Sequence, residues 1–250
     1  MPNDTNHDRT TAKKWQEAQE WERCFWMRDQ RNMRKWGKNL IWKLLAVFGL
    51  VDRYRGDDRN SWWSEKFEGY NFLPAVVDNA IELGCGPYTN MRFIQRVCKP
   101  EHLVLSDPLI RTYIEFSMTF VRELYLNAGC MLDDHPLEEL PFDDQYFDLS
   151  VMINVLDHVR DAQLCMKNLV RIVKPGGILI LGQDLTNKAG RERTPQDFRT
   201  GHPITLDGAW FEAYLSAFEP ILSKIVPVSA DWERTLHYGS MIFAGIKRIS

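Results

Sequence analysis

The sequence predicts an α/β protein: a Rossmann-like, seven-stranded, mostly parallel sheet with helices on both faces, preceded by a helical, tryptophan-rich appendage. Three observations lead there. From residue 78 onward, short apolar runs alternate with stretches of helical period, the rhythm of a parallel sheet wrapped on both faces. The first of these runs ends in Gly84-Cys85-Gly86, where missing Cβ atoms let the backbone turn tightly and approach a ligand. Before residue 78 the composition is different: seven of the nine tryptophans lie between 13 and 79, among many Arg and Lys residues.

The elements follow in order. Residues 1–12 read as a disordered tail, 13–77 as a helical segment with a lid, and 78–250 as the sheet domain. A helix is expected through Trp15–Trp36, with Gly37 able to break it. Leu40, Ile41, Leu44, Leu45 and Phe48 recur at helical spacing and predict a second amphipathic helix. Asn79–Leu83 is the first strand and Thr89–Cys98 a helix; Leu103–Ser106 is the second strand and Ile110–Asn127 a helix. Gly129–Leu132 and Phe147–Ile153 are strands three and four, and Asp161–Val173 is helical. Pro175-Gly176-Gly177 turns into strand five at Ile178–Leu181. A helix at Asp207–Phe218 and strands near Ile221–Val228 and Ser240–Ile246 complete the domain.

Composition narrows the class. A net charge of −3 argues against a dedicated nucleic-acid binder. Five cysteines without C-x-x-C spacing suggest reduced thiols in a cytoplasmic protein rather than a disulfide framework or zinc site. The polar N-terminus lacks the apolar core of a signal peptide. Leu40–Val51, the longest apolar stretch, is interrupted by Lys43 and is too short to span a bilayer.

In an open parallel sheet, ligands bind beyond the carboxyl ends of the strands. The polar residues collect there. Gly84, Cys85 and Gly86 follow strand one, and Asp107 follows strand two, where a carboxylate can accept both hydroxyls of a ribose. Asp133 and Asp134 end strand three, within reach of an adenine amino group. Asn154-Val155-Leu156-Asp157-His158 ends strand four and Gln183-Asp184 ends strand five.

With these residues in place, the chain from about 78 to 248 resembles the class I S-adenosylmethionine-dependent methyltransferases, in the type 11 branch. Four stretches carry the likeness: Ile81–Gly86, Leu105–Pro108, Leu140–Asp148 and Val173–Gly177. Their order and spacing are more specific than any one of them. The resemblance implies S-adenosylmethionine as cofactor, S-adenosylhomocysteine as product, and roles for matching positions. Glu82, Gly84, Cys85 and Gly86 would line the methionine moiety; Asp107, with Pro108 beside it, would hold the ribose; Asp133 or Asp134 would approach the adenine. Asn154 and Val155 would face the cofactor. The stretch from Asp134 to Leu140 is longer than the family's usual spacing, so either aspartate remains a candidate. The Asn-Pro-Pro-Tyr motif of enzymes that methylate amino groups of bases and glutamine side chains is absent; Asn154-Val-Leu-Asp157 stands there.

Methyl transfer to a hydroxyl needs a proton acceptor near the methyl group. The candidates are His158, Asp157, Asp184 and His202, and an imidazole's ordinary pKa suits the task. Asp133, Asp157 and Asp184 raise the question of a divalent cation, but scattered carboxylates are ordinarily solvated, and no metal is expected. Tyr54, Arg55 and Trp62 are expected to form a lid, with arginine there suiting a phosphorylated or carboxylated acceptor. The expected activity is methylation of a small-molecule or sugar acceptor, with the tryptophans of the appendage packed on the core and a homodimer possible through its helices.

Three rivals remain. Seven basic residues against two acidic ones between Trp21 and Lys43 allow docking of RNA or protein as the acceptor. A non-catalytic scaffold is the second, although it would have no need of Glu82, both glycines and Asp107. A dinucleotide-dependent dehydrogenase is the third, but its longer motif wants a third glycine where Thr89 and Asn90 stand.

Overall fold

The computed structural model describes residues 8–37, 59–117, 119–193, 195–228 and 237–249. The helix expected at Leu40–Phe48 and the lid residues Tyr54 and Arg55 lie outside them.

The described residues form one seven-stranded sheet in the order β3-β2-β1-β4-β5-β7-β6. Its strands are β1 (Val76–Leu83), β2 (Lys99–Ser106), β3 (Met131–Asp133), β4 (Phe147–Ile153), β5 (Val173–Thr186), β6 (Phe218–Pro227) and β7 (His237–Lys247). β1 to β5 pair in parallel, whereas β7 runs antiparallel to both β5 and β6. The helices are α1 (Ala12–Gly37), α2 (Asn60–Lys66), α3 (Met91–Ile94), α4 (Ile110–Glu115), α5 (Phe120–Ala128), α6 (Ala162–Ile172), α7 (Lys188–Arg193), α8 (Gln196–Gly201) and α9 (Glu212–Leu215).

Successive strand residues serve opposite faces. Ile81, Leu83, Met152, Leu179 and Leu181 join one buried cluster, while Ala80, Leu149, Val151, Ile153 and Ile180 join the other. That is why these strands are apolar throughout rather than alternating: both faces are covered. On the first face lies α6, whose Ala162, Cys165, Met166, Leu169 and Ile172 are buried at helical spacing. Each buried Leu or Ile contributes about 1.5–3 kcal/mol. Asp161 caps α6, its carboxylate accepting from Leu164 N at 3.0 Å. On the second face Trp63, Phe67 and Tyr70 pack with Ile94, Ile110 and Val121.

Several elements differ from the sequence-based expectation. The single helix expected over Ile110–Asn127 is two, because Thr119 starts a new helix: its hydroxyl accepts from Arg122 N at 3.3 Å and donates to Tyr113 O at 3.1 Å. The helix expected over Thr89–Cys98 is regular only for Met91–Ile94. β5 is far longer than Ile178–Leu181, since Val173 already pairs with Phe147 and a register shift absorbs the proline-glycine turn. α2, α7 and α8 were not anticipated. Residues 8–11, expected in a disordered tail, are tied down: Arg9 pairs with Asp161 at 2.9 Å, Gln163 donates to Asp8 at 2.6 Å, and Thr10 N donates to Arg160 O at 2.9 Å.

The chain leaves β1 toward β2 and β3 on one side and returns to β4 and β5 on the other. The strand order therefore reverses between β1 and β4, and a crevice opens beyond their carboxyl ends. Among the described residues no helix is long and apolar enough to cross a membrane, and all five cysteines are free thiols.

Candidate functional site

The turn after β1 is built for close packing. Gly84 N and Cys85 N both donate to Ser106 O, at 2.7 and 3.2 Å, which ties the turn to the end of β2. Gly84 sits at φ +63°, and a Cβ there would come within 2.5 Å of both γ-methyls of Val155. Only glycine meets both demands. Beneath the turn, Glu82 is almost fully buried and accepts from the Thr89 hydroxyl, from Asn90 N at 2.8 Å, from Asn90 Nδ2 at 3.1 Å and from Met91 N at 3.2 Å. Burial raises its carboxyl pKa, and those four donors pull it back in part.

Asp107 stands at the end of β2 with its carboxylate held by Gly86 N at 3.1 Å and Leu109 N at 2.8 Å. Burial lifts its pKa to about 7 against the pull of these two amides. Cys85, beside it, is a buried thiol pushed well above its ordinary range by desolvation, and hence is inert as a nucleophile.

These residues border a cleft that opens to solvent. Its floor is Gly84–Tyr88, Asp107–Leu109, Pro136–Glu138 and Ile153–Val155, and Asn60 and Trp63 close one side. Asn154 has φ +59°. Its N donates to Gly182 O at 2.8 Å and its Oδ1 accepts from Asp184 N at 3.2 Å, so the end of β4 is stitched to β5. The Gln183 side-chain oxygen Oε1 accepts from Val155 N at 3.2 Å and Leu156 N at 3.0 Å.

The roof is α1. Trp15, Gln19, Glu22 and Trp26 all line the cleft, at i, i+4, i+7 and i+11, one face of the helix. Trp26 is buried edge-on to Tyr88, with ring centroids 5.7 Å apart. The Tyr88 hydroxyl receives from Gln30 Nε2 at 2.9 Å and donates to Asp29 at 2.7 Å. Glu22 accepts from Trp26 Nε1 at 2.6 Å, and its other carboxylate oxygen lies 3.7 Å from His158 Nδ1. Trp21, on the adjoining stripe, packs edge-on to Phe198 of α8 and to His202. Trp21 and Trp26 thus pack on the domain, while Arg28 and Arg31 of the same helix are exposed. Among the described residues, no lysine or arginine lines the cleft; its ionisable acids are Glu22, Asp107 and Glu138, with His158 beside them.

His158 forms the cleft wall nearest a buried polar cluster. Its Nδ1 donates to Gly201 O at 2.8 Å. Its Nε2 is 3.8 Å from Oδ1 of Asp157, and Nε2 of His202 is 3.9 Å from Oδ2. Burial raises the Asp157 pKa, but His158, His202, His237 and the hydrogen bond from Gln183 together outweigh it and hold the carboxyl below its ordinary range. Burial, then the neighbouring His158, depresses His202 to about 4, so this ring is neutral at pH 7.

The structure gathers part of the sequence-predicted set. Gly84, Cys85, Gly86, Asp107, Pro108, Asn154, Val155 and His158 line the cleft. Glu82 does not; it supports the turn from below. Neither candidate for the adenine lines it either. Asp133 accepts from Ser106 Oγ at 2.7 Å and pairs with His135 Nδ1 at 2.6 Å, while Asp134 is bound to Arg111 at 3.1 Å outside. Leu137 and Glu138 occupy the corresponding wall. Asp184 is buried against Arg59 at 2.8 Å and the Ser240 hydroxyl, away from the cleft lining. Trp62 stacks under the Arg59 guanidinium at 4.5 Å, and its neighbour Trp63 lines the cleft instead. His202 lies behind His158. The residues of α1 were missed, although their periodicity was visible; a stripe that packs and a stripe that roofs a ligand look the same in sequence.

The comparisons agree with this geometry. A family profile described as "Methyltransferase domain" matches residues 81–181. A ubiquinone/menaquinone biosynthesis C-methyltransferase from Vibrio vulnificus is 32% identical over 103 residues, 39% of this chain and 37% of that protein. An uncharacterised 37.1 kDa protein in a Streptomyces fradiae transposon is 26% identical over 106 residues, 42% of this chain and 30% of that one. The chain therefore spans about a third of the length of these curated relatives. Among solved structures, the N-methyltransferase NodS from Bradyrhizobium japonicum, in complex with S-adenosylhomocysteine, superposes with a TM-score of 0.54 at 14% identity, covering 87% of this chain and 97% of that one. Residues 81–181, which include the glycine turn, Asp107 and His158, thus match the methyltransferase-domain family.

Proposed function

We propose that this chain transfers the methyl group of S-adenosylmethionine to a hydroxyl of a small-molecule acceptor seated beneath α1. One observation carries the reading: the glycine turn, Asp107 and His158 border a single cleft that α1 roofs. The cleft fits such a cofactor. The glycine turn brings bare backbone to its floor, and Asp107 presents a carboxylate already oriented by two backbone amides. The cofactor supplies a methyl group on a sulfonium, already a strong electrophile. The protein's share is alignment, exclusion of water and handling of a proton.

In this reading Asp107 accepts the ribose hydroxyls, the Gly84–Gly86 backbone lies along the methionine end, and Glu82 keeps that turn rigid. The acceptor's proton leaves at the His158–Asp157 corner. The His158 Nδ1–H bond to Gly201 O leaves the Nε2 lone pair as the proton-accepting site, and the Asp157 carboxylate stabilises the resulting charge. Roofing by α1 favours a small acceptor over RNA or protein. The acidic, aromatic lining favours a neutral or cationic acceptor over the phosphorylated or carboxylated one that Arg55 suggests.

The test is calorimetric titration with S-adenosylmethionine, S-adenosylhomocysteine and NAD, followed by transfer of labelled methyl into a small-molecule pool. Micromolar binding of the first two, with label in small molecules, is expected. Binding of NAD alone, or label entering only RNA or protein, overturns the proposal.

A further inference from the structure

Asp157 and His202 sit behind the cleft wall, where the fold closes a trio of donor groups that no spacing in the sequence announces. The Asp157 side chain is almost fully buried. Its Oδ1 accepts from Gln183 Nε2 at 3.0 Å, whereas its Oδ2, also buried, receives no hydrogen bond. A buried carboxylate oxygen without a donor is costly and calls for a reason. The two imidazoles do not supply one when neutral. Nδ1 of His158 bonds to Gly201 O at 2.8 Å, and Nδ1 of His202 to Phe198 O at 2.9 Å. Carbonyl oxygens only accept, so each Nδ1 carries the proton and each neutral ring has its lone pair on Nε2. Those two Nε2 atoms are 3.8 and 3.9 Å from the carboxylate oxygens. One donor atom from each of the three residues falls within 4.8 Å of the others.

Two lone pairs and a carboxylate converging in a buried place suit a cation at their centre. Backbone carbonyls that hold the remote ring nitrogen are how metal-ligating histidines are oriented. We propose that Asp157, His158 and His202 bind a divalent transition-metal ion of the zinc class. Two imidazole nitrogens and one carboxylate select Zn²⁺, Co²⁺, Fe²⁺ or Mn²⁺ over Mg²⁺ and Ca²⁺, which take oxygen ligands. With bonds of about 2.0–2.2 Å, ligands of a tetrahedral ion lie roughly 3.4 Å apart, so the trio, whose donor atoms fall within 4.8 Å of one another, must draw together around the ion. Because His158 lines the cleft, the ion's remaining position opens toward it. There an acceptor hydroxyl bound to the ion would lose its proton more readily, so that with the ion in place Nε2 of His158 serves as a ligand instead of the base and the proton passes to solvent in the cleft. That use rests on the proposed methyl transfer; the ion's presence does not.

The test uses the tag-free full chain, stripped with a chelator and titrated with Zn²⁺ and Co²⁺ by calorimetry and visible absorption. The expected result is one equivalent bound with a dissociation constant of about 1 µM or tighter and a tetrahedral Co²⁺ spectrum. His202→Ala and the milder His202→Gln should weaken binding at least tenfold, and His102→Ala, at an exposed histidine, should change nothing. Lack of saturable binding overturns the site, as does binding that His202→Gln leaves intact. S-adenosylmethionine affinity, measured on the same stripped samples, reports folding and tests the methyltransferase reading separately.

Discussion

The indole of Trp21 lies directly over Gly201, so that a Cβ at position 201 would fall 2.3 Å from its ring. Helix α1 is therefore seated on α8 through a glycine, and the roof of the cleft depends on that contact. Gly201→Ala should force the indole away and loosen α1, at a cost of about 1–3 kcal/mol as for other overpacked sites. Thermal melting should show the loss, and limited proteolysis should cut within residues 12–37 faster than in the parent. Unchanged melting and cleavage would mean that α1 is held elsewhere.

Gly84 and Val155 make a second close pair. Gly84→Ala adds a Cβ at 2.5 Å from the Val155 methyls and places it at a positive φ. Cofactor affinity should fall at least tenfold. Val155→Ala in the same chain should recover part of that loss, since it removes the clash but not the backbone strain of about 1–2 kcal/mol. No recovery in the double variant would assign the whole effect to the backbone.

Asp107 links cofactor binding to pH. With a pKa of about 7, its carboxyl is largely protonated at pH 6 and ionised at pH 8. Ribose hydroxyls donate to the ionised form, so S-adenosylmethionine should bind more tightly as the pH rises through 7. Asp107→Ala should weaken binding at least tenfold and flatten this dependence. Stability moves the other way. From the ordinary carboxyl value of 3.8 up to about 7 the native side chain keeps a proton that the unfolded one has released, so this contribution falls as the pH rises through that window. Calorimetry at pH 6 and 8 checks the first statement, and melting followed from about pH 4 to 7 checks the second.

His158→Ala should lower turnover by about 10²–10⁴ while cofactor affinity stays near that of the parent. Steady-state kinetics alongside binding calorimetry separates the two. A matching loss in both would make His158 part of the cofactor wall rather than of the proton path.

Order along the chain was readable wherever the physical cause is local. Apolar runs from residue 78, interrupted at strand ends by Gly84, Asp107, Asn154 and Asp184, announced a parallel sheet with a cleft at its carboxyl edge, because strand period, glycine turns and helix caps act over a few residues. Even the break at Thr119 has its cap in the sequence, although the run Ile110–Asn127 hid it.

The assignments that depend on which surfaces meet could not be read that way. Asp107 and Asp184 follow strands in the same manner, yet one borders the cleft and the other is buried against Arg59 and Ser240. Trp62 and Trp63 are neighbours in sequence, and only the second reaches the cleft. Among the described residues the roof comes from α1, and His202 was carried to Asp157 by α8. These outcomes were decided by packing between elements distant in sequence, whose contacts have no counterpart in local period or composition.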